Sequence, residues 1–400
     1  MDKNNGAIYD ARKLGKPKMI ILGVQHMFAM FGATILVPIL TGLDISTTLL
    51  MAGLGTLLFH CITKFKVPAF LGSSFAFLGG YAAIKAFSPN DPNSMLPYAC
   101  LGVACAGLIY FILAAVIKAV GIEKVMRFFP PVVTGPIIIA IGLGLAPSAV
   151  SNCTTNWFLA VVALAVIVVF NIWGKGMAKI IPIILGLLIS YGTGLVLYFI
   201  SQANPDLIQN VPWLFSGGAD ANGVYQPIFD FTSLNTICDN ISKGHIFGSE
   251  GLIGIPIHWD QTVFGGIDYS NGALIASSII AIVPIAFATM MEHIGDICAI
   301  SSTTGNNYIK DPGLHRTLVG DGLATTLASL FGGPANTTYG ENTGVLALTR
   351  VYDPRVIRIA AYFAVAVSFF PIVSVIIGSI PSCIIGGVFF FLFWLIFFFL

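Results

Sequence analysis

Charge is what this chain has least of. Only 9% of its 400 residues are Asp, Glu, Lys or Arg, against about 25% in a soluble globular domain, which excludes a water-soluble protein of this length. The net charge of +1 says nothing about partners, and nucleic acid is not expected. No cleavable leader is expected either: residues 1–18 are polar and basic, and the apolar run behind them is too long for a signal-peptide core. The first apolar segment is therefore expected to be retained. Cysteines number seven with no CxxC pair, so no metal or redox centre and no cofactor is expected. Cys153 and Cys238 fall in loops expected on the outer side; a disulfide and two unpaired thiols both fit, and the second is preferred.

What fills the chain instead is apolar surface, 56% of residues with a mean hydropathy of +0.89. Stretches near the roughly 20 residues that cross a hydrocarbon core recur at 19–41, 46–63, 67–86, 97–117, 129–149, 157–173, 178–201, 271–295, 317–333, 336–349, 355–379 and 383–400. That is an all-α, multi-pass integral membrane protein of about twelve spans. With residues 1–18 on the cytoplasmic side, 17 of the 19 basic residues fall on that side, leaving Lys85 and Lys243. The positive-inside rule expects such an asymmetry. Residues 202–270 form the one long non-membrane stretch, placed outside and read as a cap packed by Trp213, Phe215 and Tyr225.

Two short polar motifs each occur twice. Gln25-His26 is matched by Glu292-His293, and Ser73-Ser74-Phe75-Ala76 by Thr337-Thr338-Tyr339-Gly340, with separations of 267 and 264 residues. A repeat of that size implies two related halves, which in a membrane protein point to a transporter with its site between them. Segments 67–86 and 336–349 are poor continuous helices. Pro68 and Gly72-Ser73-Ser74 interrupt the first; Gly332-Gly333-Pro334 precedes the second, which opens on Asn336-Thr337-Thr338. Both are expected to be half extended and half helical. Unwound backbone at membrane depth survives only where protein or a wet cavity receives its N–H and C=O groups.

Glu292, Asp296 and Glu341 are read as the acidic residues within spans. An ionised carboxylate at the bilayer centre costs at least about 2.5–3.5 kcal/mol, so these point to a polar site. Glu292 and Asp296, four apart, share a helix face; His293 is turned about 100° away, and His26 holds the matching place in the first half. Such a cluster suits a small flat heterocycle such as a nucleobase. Carboxylates accept from ring N–H groups, backbone N–H groups donate to ring carbonyls, and Phe75 or Tyr339 offers a stacking face. The plainer alternative is that these groups only tie helices together. Glu292-His293-x-x-Asp296 also contains metal-ligand types, but it lacks the HExxH spacing and a second cluster, and a membrane-embedded metalloenzyme is set aside. An anion exchanger or channel is the rival of another class; it would need an Arg or Lys near the broken segments 67–86 and 336–349, and none is expected in either.

At Gln25–Thr34, Pro68–Phe77, Asp311–Arg316 and Asn336–Asn342, running on as Glu341-Asn342-x-Gly344-x4-Thr349-Arg350, the chain resembles the nucleobase–cation symporter 2 (nucleobase–ascorbate transporter) family, and within it the bacterial members that carry uracil. The resemblance spans about 19–388. It implies a 7+7 inverted-repeat transporter with core and gate domains and short strands in broken segments 3 and 10. It further implies proton-coupled symport of uracil across the cell membrane by an elevator-like movement of core against gate. A xanthine or purine permease is the nearest alternative, and the Glu at 341 favours uracil over it.

By the same likeness Glu292 and Glu341 bind the base by side chain and Phe75 and Gly340 by backbone N–H, while Ala33 and Tyr339 line the pocket. Asp296, Glu292 and His26 take part in proton coupling, with His293, Asn342, Ser73 and Thr338 in support. Asp296 stands where the best-known uracil permease pattern has a histidine. The domain order implied is 1–18 cytoplasmic, 19–121 core, 122–201 gate, 202–270 outer insert, 271–380 core and 381–400 an incomplete gate segment. The chain stops within the twelfth segment, and a truncated, Phe-rich tail is expected. A homodimer is compatible with the likeness.

Overall fold

The computed structural model describes residues 7–121, 124, 146–147, 149–220 and 222–399. Its principal elements are, in chain order, α1 (Lys16–Thr41), α2 (Ile45–Ile62), β1 (Leu71–Ser73), α3 (Leu78–Lys85), α4 (Leu96–Val120), α5 (Trp157–Trp173) and α6 (Pro182–Ala203). There follow β2 (Ser216–Ala219), β3 (Tyr225–Pro227), α7 (Thr232–Ser242), α8 (Gly272–Ile282), α9 (Ile285–Thr304) and α10 (Leu314–Leu330). The chain closes with β4 (Asn336–Thr338), α11 (Gly340–Thr349), α12 (Pro354–Ser368), α13 (Pro371–Gly378) and α14 (Ser382–Phe399). Among the described residues five helical stretches are long and apolar enough to cross a membrane: Lys16–Thr41, Ile45–Ile62, Pro92–Val120, Pro182–Ala203 and Gly272–Thr304. A sixth forms if α12 and α13, bent by 88° at Phe369–Phe370, count as one.

Several segment boundaries differ from those read in the sequence. Segment 271–295 runs on to Thr304, with a break at Val283–Pro284 where proline removes a helical N–H. Segment 178–201 forms a single turn at Met177–Ile180 before α6 starts at Pro182. Segments 67–86 and 336–349 each begin as a strand and end as a helix. Segment 129–149 lies almost wholly outside the described residues, as does Arg127.

The chain forms two compact units. One comprises Met1–Thr134 and Gly254–Pro371, the other Gly135–Ile253 and Ile372–Leu400. In the first, the sequence halves interlock: α4 packs along α10, α2 along α12, and α2 and α10 against each other. Lipid tails are as apolar as Leu, so helices inside a bilayer gain by close approach of small residues. At the α4–α10 crossing a Cβ on Gly107 would meet Thr326 and lie 2.7 Å from Gly322 O, and one on Gly322 would lie 2.6 Å from Gly107 O. Thr326 Oγ1 donates to Ala104 O across the same seam at 3.2 Å.

In the second unit α5 packs against α6 and α14, and Ser190 Oγ donates to Leu159 O at 2.9 Å. The antiparallel pair β2–β3 is tied to the start of α5, where Asn156 Nδ2 donates to Ser216 O at 2.9 Å. Phe229 and Phe231 stack with centroids 5.2 Å apart, and Tyr198 packs edge-on against both. Cys153 and Cys238 are both free thiols.

The α4–α10 seam has no room for a larger side chain. Gly322→Val is expected to lower the stability of the purified protein in detergent by about 1–3 kcal/mol through overpacking, read as a fall in melting temperature, whereas Gly79→Ala, where an added Cβ meets nothing within 4 Å, should leave it nearly unchanged.

Candidate functional site

The two interrupted segments meet. β1 and β4 pair antiparallel, Leu71 opposite Thr338, Gly72 opposite Thr337 and Ser73 opposite Asn336. In the 264-residue repeat Gly72 corresponds to Asn336 and Ser73 to Thr337, so each residue pairs with the equivalent of its neighbour. That is the register a two-fold relation between the segments requires. Ser74 N donates to Ala335 O at 2.9 Å and Tyr339 N to Phe70 O at 3.2 Å. Flanking helices take up further groups, and the ladder's own Asn336 ties it to α2. Leu71 N donates to Thr56 Oγ1 at 2.9 Å, Thr325 Oγ1 donates to Asn336 O at 2.6 Å, and Asn336 Nδ2 donates to Met51 O at 3.0 Å. The extended backbone is thereby paired inside the protein.

Tyr339 locks the ladder. Its hydroxyl donates to Ser73 O at 2.8 Å and accepts from Thr34 Oγ1 at 3.3 Å, while Ser73 Oγ donates to Thr34 O at 3.0 Å. Its ring lies against Gly72, where an added Cβ would come within 2.5 Å of Cε2. The ring is buried and occupied with this packing.

Because the strands are antiparallel, the helical turns that follow them start at opposite ends of the ladder. Phe75 opens a single 3-10 turn leading into α3, and Gly340 opens α11. Their N–H groups belong to the set that a helix start leaves without an intrahelical partner. Alongside runs α9, which packs against the Phe75–Phe77 turn, β4 and α11. Thr338 Oγ1 donates to Asp296 Oδ2 at 2.7 Å, and a Cβ on Gly340 would lie 4.0 Å from Asp296 Oδ1. Asp296 thus sits beside the N-terminus of α11, the end of a helix that attracts negative charge. Amid buried neighbours, Phe75, Ala76 and Asp296 are partly accessible, and Glu292 and Gly340 are exposed.

The histidines are tied elsewhere. His26, fully buried, places Nδ1 3.0 Å from Asn342 Oδ1. His293, also fully buried, places Nδ1 3.0 Å from Asp321 Oδ2 and 3.5 Å from Thr338 Oγ1. His293 and Asp321 are close neighbours without an aligned hydrogen bond, since neither Asp321 oxygen has a hydrogen-bond partner of good geometry. The side chains of Ala33 and Glu341 lie outside the described residues; the backbone of Glu341 is in the first turn of α11.

Two corrections to the sequence reading follow. Asp321 is a fourth acidic residue within the apolar segments, wholly buried in α10. Its signal was a lone Asp between Gly320 and Gly322 inside segment 317–333. Lys85 stands at the far end of segment 67–86, where it donates to Thr41 O at 3.0 Å and so caps α1. Asn336, which links β4 to α2, also passed unnoticed as more than a helix breaker.

The family model of the xanthine and uracil permeases, described as a permease family, matches residues 17–399. The chain belongs to the nucleobase–cation symporter 2 family. Among curated members of this family, the uracil permease of Bacillus caldolyticus is 39% identical over 380 residues, covering 92% of this chain and 75% of that protein. The uracil permease of Bacillus subtilis is 37% identical over 390 residues, covering 94% and 78%. In fold the chain is similar to the transmembrane domain of a cyanobacterial bicarbonate transporter, BicA, with a TM-score of 0.60 at 14% identity, covering 98% of this chain and 90% of that one. A multi-pass membrane permease is the coarse identity that membership in the symporter family and the apolar helices give.

His293→Ala would strand the buried Asp321 carboxylate and is expected to cost about 3–5 kcal/mol. His293→Ala combined with Asp321→Ala should cost less than His293→Ala alone, a difference that thermal unfolding in detergent resolves.

Proposed function

We propose that this protein imports uracil across the cell membrane by proton-coupled symport, with its N-terminus on the cytoplasmic side. The observation that carries the reading is the Thr338–Asp296 hydrogen bond. It ties the acidic face of α9 to β4, and the same helix packs against both the Phe75–Phe77 turn and α11, with Phe75 partly accessible and Gly340 and Glu292 exposed. The names of the relatives and the two N–H and two carbonyl groups of uracil accord with that arrangement. In it, Glu292 and Glu341 accept from the ring N–H groups, and the Phe75 and Gly340 N–H groups donate to the carbonyls. Ala33 and Tyr339 shape the surroundings, with His293, Asn342, Ser73 and Thr338 holding the frame.

Asp296, with Glu292 and His26, takes the coupling proton; Asp is as able to do so as the His found there in related patterns. The unit of Met1–Thr134 and Gly254–Pro371 acts as the core that carries the base, and the other unit as the gate, within a fourteen-segment inverted-repeat plan. An anion is disfavoured by this reading, because the side chains that α9 brings to β4 and α11 are acidic.

Uptake of radiolabelled uracil into proteoliposomes under an inward proton gradient tests the reading. Glu341→Ala is expected to abolish uptake, and Glu292→Gln to weaken binding about ten- to a hundredfold, as loss of a charge-assisted hydrogen bond does. Unlabelled uracil should compete and xanthine should not. Uptake indifferent to Glu341→Ala refutes the site.

A further inference from the structure

Residues 8–14 cross the ends of both helices that flank the site. Ile8 N donates to Arg350 O and Tyr352 N to Ile8 O, each at 2.8 Å, forming a parallel bridge to the link between α11 and α12. Ala11 N donates to Asp353 Oδ2 at 2.8 Å. Ala11, Val351 and Val356 form a small buried cluster with Ile8 and Leu14. On the other side the Tyr9 hydroxyl donates to Thr304 O at 2.7 Å. Thr304 is the last residue of α9, and its carbonyl is among those a helix end leaves without an internal partner. Tyr9 also packs edge-on against Tyr352, centroids 5.5 Å apart.

These contacts join two levers. Thr304 is about 12 Å along α9 from Asp296, and Arg350 about 15 Å along α11 from Gly340, at 1.5 Å per residue. At the site α9 packs against α11 and is held to β4, just ahead of α11, by the Thr338–Asp296 hydrogen bond; at the far end the two helices are bridged by residues from the other end of the chain. A cavity of about 310 Å³ lies beside the bridge, lined among others by Tyr9, Asn306 and Tyr352, so the helix ends have space to shift once Tyr9 lets go.

We propose that residues 8–14 are a positioning strap that sets the spacing of α9 and α11, with Tyr9 its link to α9, and thereby tunes the affinity of the site. The proposal rests on the uracil reading for its affinity part alone. Asp10, which holds Arg12 and Arg355 (3.0 Å), has its carboxyl drawn down to about 2, chiefly by its hydrogen bond from the Arg12 side chain. Its contribution is present above the ordinary carboxylate range and is lost only as pH falls toward 2. The strap therefore stays fastened wherever uptake is measured and is not itself the pH sensor.

Tyr9→Phe removes one hydroxyl and keeps the ring. Uracil affinity of the full chain in detergent is expected to fall about three- to tenfold, the worth of one hydrogen bond, with the melting temperature unchanged. Ile8→Pro, which deletes the donor to Arg350 O, should act in the same direction. Spin labels on Cys298 of α9 and on Leu348→Cys of α11, both exposed, with Cys61, Cys105 and Cys238 replaced by Ser, should report a shifted or widened distance distribution in both variants. An unchanged distribution overturns the strap, even if the melting temperature falls. Because the distance is read without substrate, failure of the parent to bind uracil sinks the uracil reading and leaves this one standing.

Discussion

A backbone that leaves the helix inside a membrane has no water to turn to. That constraint shapes this permease more than any other. Two segments give up helical hydrogen bonds at Gly72-Ser73-Ser74 and Asn336-Thr337-Thr338, and they recover them from each other in a three-residue ladder. Thr56 and Thr325 take up ladder groups left over, and Asn336 of the ladder ties it to α2 through Met51 O. Space is as tightly specified as hydrogen bonding. Gly72 lies under the Tyr339 ring, and a Cβ on Gly55 would run into Asn336 Nδ2. In exchange for this crowding the chain gains two helical turns that start beside the ladder and point away from it.

Around that frame the polar groups divide into two kinds. His26 with Asn342 and His293 with Asp321 are wholly buried and join elements distant in sequence. Buried pairs of this kind contribute less to net stability than to holding one arrangement of the parts, because leaving either member alone is so costly. Glu292, Asp296, Phe75 and Gly340 keep some access. Thr338 belongs to both sets: its hydroxyl donates to Asp296, and it also lies 3.5 Å from His293 Nδ1.

The fold is shared with a bicarbonate transporter domain at 14% identity, and a fold by itself does not name a cargo. In this chain the Asp296 side chain of α9 stands beside the start of α11. The strap at residues 8–14 adds a further layer, since it grips the same two helices from outside and does so through residues far from them in sequence.

Much of this was legible in the residues alone. The scarcity of charge, the length of the apolar runs and the twice-repeated polar motifs determine a membrane protein of two related halves with interrupted segments, because burying charge in lipid and leaving backbone unpaired are too costly to be overridden by packing. The same reasoning singled out Asp296, which the folded chain joins to Thr338, and matched His26 with His293. It overlooked Asp321, whose meaning comes from His293 on another helix, and it read Lys85 without its partner at Thr41. It treated Tyr339 as a stacking face, where the folded chain uses the ring to cover Gly72. Which strand pairs with which, that Asp296 reaches Thr338 rather than lipid, and that Tyr9 caps a helix ending at Thr304 were decided only in three dimensions. Those contacts join residues 42 to 295 positions apart, and no local spacing encodes a partner at that distance.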